Sequence, residues 1–88
     1  MRIKKSLEEK LTRAFKPCFL NIQDESHKHQ GHAGYKPGGE SHFHVILVSD
    51  CFQGQSRLVR HREVYQVVSE EMQHIHALRL TLHTPDEH

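Results

Sequence analysis

Residues 42–49 (HFHVILVS) constrain the fold more than any other stretch of the chain. Phe43, Val45 and Leu47 alternate with His44, Ile46 and Val48. That two-residue period belongs to a strand, whose successive side chains point to opposite faces. A strand needs neighbours for its backbone and a cover for its apolar face. Two further runs can serve as neighbours. Cys18 to Gln23 sets Cys18, Leu20 and Ile22 on one side and Phe19, Asn21 and Gln23 on the other. Ala77 to His83 sets Leu78, Leu80 and Leu82 against Arg79, Thr81 and His83.

The cover comes from two segments with helical periodicity. Between Ser6 and Phe15, Leu7, Leu11, Ala14 and Phe15 form one apolar stripe. Ser6 followed by Glu9 reads as a capping box, with Ile3 able to extend the helix backwards. Lys16 and Pro17 end it, because proline cannot continue a helix. Gln55 to Gln73 is the second helical region. Leu58, His61, Tyr65, Val68 and Met72 recur at spacings of three and four, and Val64 and Val67 widen that stripe. A short opening helix at 56–59 can stand apart from the main one. Asp50–Gly54 turns the chain, and Thr84–His88 reads as a polar tail.

The order is helix, strand, strand, helical region, strand. Three one-sided strands and two amphipathic helices make an α+β two-layer sandwich, with a three-stranded sheet and helices on one face. The first two strands can pair as an antiparallel hairpin. The opposite face carries Asn21, Gln23, His42, His44, Arg79 and Thr81, polar enough to meet water or a partner. Residues 24–41 have no apolar periodicity and hold four glycines, a proline and three histidines. This long loop exceeds the roughly 12–15 residues beyond which loops are usually functional or disordered.

The chain has 88 residues, enough for one domain with a small core that buries roughly 60–65% of the unfolded surface. Twelve Lys and Arg face eleven Asp and Glu, a net charge of +1. A dedicated nucleic-acid binder is expected to be more basic, although a local basic stripe can act alone. The two cysteines, Cys18 and Cys51, form neither CxxC nor a zinc-knuckle spacing. No apolar stretch reaches the roughly 18 residues of a membrane helix, and the first ten residues lack the apolar region of a signal peptide. A cytoplasmic location is the expectation.

Ten histidines are the unusual number. Imidazole is the commonest metal ligand and titrates near neutral pH. Three groups stand out. His27-x-His29-x-x-His32 lies in the loop, followed by His42-x-His44. These spacings match no zinc finger, and the histidines could equally be solvated. His74-x-His76 precedes the last strand and could simply be exposed there. Arg57, Arg60 and Arg62 open the second helical region around His61. They could contact phosphates, or they could flank a partly buried, inward-leaning His61. Nothing resembles a nucleophile elbow, a Walker lysine or an activated cysteine. No catalytic residue is assigned and an enzyme is not expected.

The stretches DESHKH, ESHFHVILVSDCFQG, LVRHREVYQVVSEEM and HALRLTLHTPDE resemble the BolA family in order and spacing over nearly the whole chain. The resemblance implies one BolA-like domain over residues 1–88, with the α-β-β-α-α-β order of a class II KH-like fold. It implies a partner of a monothiol glutaredoxin in iron–sulfur and iron homeostasis. The two would share a [2Fe–2S] cluster, with glutaredoxin and glutathione supplying thiolates. None is expected in the isolated chain, as a monomer or weak homodimer. Cluster-binding members use a His or Cys of the loop between the first two strands and a histidine just before the last strand. Those positions map to His29 and His76, with His27 and His32 as loop alternatives. Two imidazoles in place of two thiolates resemble a Rieske centre, whose potential is raised. Some bacterial members are described as DNA-binding regulators of stress response and cell shape. DNA is therefore the alternative partner, with Arg57, Arg60 and Arg62 as its candidate contacts, and no membrane is implied.

Overall fold

The structure, a computed structural model, describes residues 3–26 and 41–88. Helix α1 (Ile3–Phe15) leads into strand β1 (Phe19–Asp24). Then come β2 (His42–Val48), a 3₁₀ turn (Asp50–Phe52), α2 (Arg57–Val67), α3 (Ser69–Met72) and β3 (Ala77–His83), with a last 3₁₀ turn at Pro85–Glu87. The order is α-β-β-α-α-β.

The sheet runs β1-β2-β3. β1 pairs antiparallel with β2, Ile22 opposite Val45. β2 pairs parallel with β3, Phe43 opposite Leu78 and Leu47 opposite Leu82. The parallel pair requires a crossover, which α2 and α3 supply. The register brings Ile22, Phe43, Val45, Leu47, Leu78 and Leu82 into the core, with Leu20 and Leu80 packed at its margin. Cys18 precedes the strand and is exposed rather than part of its inner face.

α1 starts at Ile3, not at Ser6. Ile3, Leu7, Leu11 and Phe15 make a buried stripe of strict four-residue spacing, and Ala14 lies outside it, exposed. Ser6 is therefore not a cap. Its hydroxyl donates to Glu71 of α3 at 2.8 Å. Glu71 is fully buried, and Lys10 Nζ approaches its two carboxylate oxygens at 2.8 and 3.1 Å. Burial alone would raise the Glu71 carboxyl. The bonds from Lys10 and Ser6 outweigh it and hold the group below its ordinary range. The helix ends where Lys16 takes a left-handed φ of 44° before Pro17.

The second helical region differs from expectation in two ways. There is no separate opening helix at 56–59: α2 runs unbroken from Arg57, capped by Ser56 Oγ accepting from Val59 N–H at 3.2 Å. The break comes at Val68. The buried stripe is also rotated. Arg60, Val64, Val68 and Glu71 face inward, while Leu58 and Tyr65 are exposed. Arg60, not His61, is the inward-leaning residue. Its guanidinium lies 5.8 Å from the Phe52 ring centroid, and Phe52 stacks on Phe15 at 5.2 Å. The turn between β2 and α2 closes at Gly54, whose φ of 74° favours glycine.

The tail is docked. Thr84 is buried. Glu87 accepts from Thr84 N–H at 2.9 Å and from Arg60 Nη1 and Nη2 at 2.6 and 3.1 Å. On the opposite sheet face, His88 sits 5.1 Å from the Phe19 ring.

Candidate metal-ligand site

The residues on either side of segment 27–40 are joined by a clasp of small polar side chains. Asp24 Oδ1 accepts from the Ser26 N–H at 2.9 Å and from its hydroxyl. Ser26 Oγ in turn accepts from Ser41 N–H at 2.9 Å and His42 N–H at 3.2 Å. Glu25 N–H donates to the His42 carbonyl at 2.8 Å. Ser26, Ser41 and His42 are buried, so these bonds answer backbone groups that water cannot reach.

The same returning strand positions the histidine before β3. The Ser41 carbonyl accepts from His76 N–H at 2.7 Å and Ala77 N–H at 3.2 Å. Parallel pairing then sets His42 beside Ala77. The His42 and His76 rings lie 5.0 Å apart at 46°. His42 is buried and its Nδ1 is 2.9 Å from Ser41 Oγ. His76 is exposed. The result is an accessible imidazole on a fixed backbone, backed by a second imidazole.

His74 is also exposed, in the turn where its N–H donates to the Glu71 carbonyl at 2.9 Å. His44 Nε2 lies 2.9 Å from Thr81 Oγ1 across the sheet. Arg79 binds both oxygens of Glu25 at 3.0 and 3.1 Å. Of the pair His42-x-His44, it is His42 that the fold brings to His76. Sequence reasoning missed that contact, because nothing in the residues fixes a parallel register between strands so distant in the chain. His27, His29 and His32 lie outside the described residues.

The family resemblance implies a [2Fe–2S] cluster, which needs four ligands. No cluster of three or more metal-ligating side chains occurs among the described residues. A closed four-ligand site is therefore not built from them. Sharing is a smaller demand: one exposed imidazole, a second donor from elsewhere in the chain, and the remaining ligands from another molecule. His76 fits the first requirement.

The basic segment divides. Arg57 and Arg62 are exposed on α2. Arg60 is buried and fully engaged: beyond Glu87, it donates to the Gln55 and Leu82 carbonyls at 3.0 and 3.1 Å. The Arg60 guanidinium, then the Thr84 N–H, hold Glu87 at about 2, far below the ordinary carboxylate range. His61 Nδ1 is 2.9 Å from the Arg57 carbonyl. No helix among the described residues is long and apolar enough to cross a membrane.

A three-stranded mixed sheet with this topology, covered by helices, defines a small α+β domain. The BolA-like protein family profile matches residues 11–87, so the chain belongs to that family. It is 47% identical over 88 residues to the DNA-binding transcriptional regulator BolA of Escherichia coli K12, covering 99% of this chain and 80% of that one. Among solved structures, it resembles BolA1 from Arabidopsis thaliana with a TM-score of 0.87 at 35% identity, covering 100% of this chain and 98% of that one. The BolA domain of SufE1 from the same plant gives 0.83 at 38% identity, covering 96% and 93%. Relatives thus carry names both of DNA-binding regulators and of BolA-like proteins.

Proposed function

We propose that this BolA-family chain partners a monothiol glutaredoxin and shares a [2Fe–2S] cluster with it. His76 donates one imidazole and the loop donates another, from His29 or, in its place, His27 or His32. The carrying observation is His76 itself. His76 is exposed and its N–H is held by Ser41, the residue that follows the histidine-bearing segment in the chain. An exposed histidine tied to Ser41, with several candidate histidines earlier in the sequence, suits a site completed by another molecule. Glutaredoxin and glutathione would supply the thiolates, and the cluster would supply electron-transfer and iron-delivery chemistry when bound. This chain's part is to present imidazoles and to keep His76 in place through Ser41 and the adjoining His42 ring.

His76→Ala should abolish the visible absorption and circular dichroism of the mixed cluster. His29→Ala should weaken it less, because neighbouring histidines can substitute. A normal heterocomplex spectrum from His76→Ala would remove the mechanism. The alternative, a DNA-binding regulator like the E. coli relative by name, draws on exposed Arg57 and Arg62. Arg60 is engaged by Glu87 and two carbonyls, so it adds nothing to a phosphate contact while the tail is docked.

A further inference from the structure

Among the described residues, large apolar side chains are exposed mainly on α2: Leu58 at 60%, Val59 at 38% and Tyr65 at 38%. Single exposed apolar residues need no explanation, but contiguous ones do. Leu58, His61, Arg62 and Tyr65 stand three and four residues apart, so they share one helix surface. The His61 and Tyr65 rings are 6.4 Å apart. The core has no need of them, since Arg60, Val64 and Val68 already fill the underside.

This face is continuous with the candidate ligand. Tyr65 Oη donates to the Leu78 carbonyl at 3.3 Å, two residues from His76. At the other end, Arg57 and His61 wall a pocket of about 570 Å³ against the β3 edge at Leu80 and Leu82. Tyr65 is therefore held before any partner arrives, which lowers the ordering cost of binding. Arg57 and Arg62 make no ion pair among the described residues, so the complementary surface is one with carboxylates. Aliphatic Leu58 and Val59 at the N-terminal end of the face, exposed at 60% and 38%, suit a protein better than a phosphate backbone. Tyrosine and arginine are also the residue types enriched where protein partners bind tightly.

We propose that the outward face of α2, centred on Leu58, His61, Arg62 and Tyr65, docks the protein that shares the cluster. That partner meets it with apolar side chains flanked by carboxylates. The identity of the partner rests on the cluster-sharing reading above; the docking face does not need the cluster to be present. Two imidazole bonds fix iron but do not orient a protein, whereas a patch beside His76 does.

The test uses the full chain, calorimetric titration with cluster-free monothiol glutaredoxin, and the mixed-cluster spectrum. Leu58→Glu is the informative variant. It lies in the first turn of α2, where a carboxylate favours the helix, so the thermal melt should be unchanged. Its affinity for cluster-free glutaredoxin should fall about tenfold or more. Arg62→Glu should act in the same direction and lose its effect at high salt. His76→Ala should keep wild-type affinity within about twofold while losing the spectrum. Unchanged affinity in Leu58→Glu overturns the docking face even if the wild-type spectrum is normal. Binding that depends on Leu58 without any wild-type mixed spectrum removes the cluster reading and keeps the face. Failure of the wild type to bind cluster-free glutaredoxin overturns the face. So does a Leu58→Glu effect confined to a short DNA duplex, which would assign the surface to nucleic acid.

Discussion

α1 and α2 belong to the same helical layer, yet they place their apolar residues in opposite directions. α1 sends Ile3, Leu7, Leu11 and Phe15 inward and keeps charge outside. α2 turns Leu58, Val59 and Tyr65 outward and sends an arginine in. The contrast separates two tasks. α1 supplies much of the small core that an 88-residue chain can build. α2 seats itself on Val64 and Val67, with Val68 just past its end, and its inward arginine is satisfied by Glu87 of the C-terminal tail and two carbonyls. One helix serves stability, and the other keeps an apolar surface facing solvent.

The sharpest way to break this contrast is Leu11→Ala. Leu11 is fully buried, and removing its side chain should cost about 3 kcal/mol by urea denaturation, within the usual range for buried leucine. A loss under about 1 kcal/mol would mean that α1 is not the main structural helix. Arg60→Ala should come next, at about 1–2 kcal/mol, because two carbonyls lose their donor and Glu87 loses its cation. A neutral result there would show that α2 holds its orientation without the tail.

The smallest effect concerns pH. Glu87 is held at about 2 in the folded chain, against roughly 4.3 when unfolded. A depressed carboxyl contributes stability that is fully present above its unfolded value and is lost as pH falls toward the folded one. Melting temperature should therefore decline from about pH 5 downward, and Glu87→Gln should flatten part of that decline. An unchanged acid profile would show that the tail's contact adds nothing in solution.

The strands and α1 were legible because one physical cause, burial of alternate or every-fourth residues, decides each of them. β3 spans Ala77–His83 as its alternation predicts, and α1 differs only at its start, where Ile3 continues the stripe. α2 was not legible for a definite reason. Its pattern of Leu58, His61, Tyr65 and Val68 is a good helical period, but a period does not say which stripe faces in. The answer depends on Arg60 finding Glu87, and on Glu71 finding Ser6 and Lys10, partners 27, 65 and 61 residues away. Buried polar groups with distant partners leave no local trace. The candidate site was legible by half. His76 stands exposed before β3, whereas its neighbour His42 is placed there by parallel register alone.

The clasp of Asp24, Ser26 and Ser41 has a consequence for how such chains diversify. It joins the two ends of segment 27–40 independently of what lies between them. Closure entropy grows only logarithmically, about 0.6 kcal/mol for each doubling of loop length. Residues can be inserted, deleted or exchanged within that segment at little cost to the sheet. The residues of that segment are thereby free to vary while the scaffold that holds the His76 backbone stays the same.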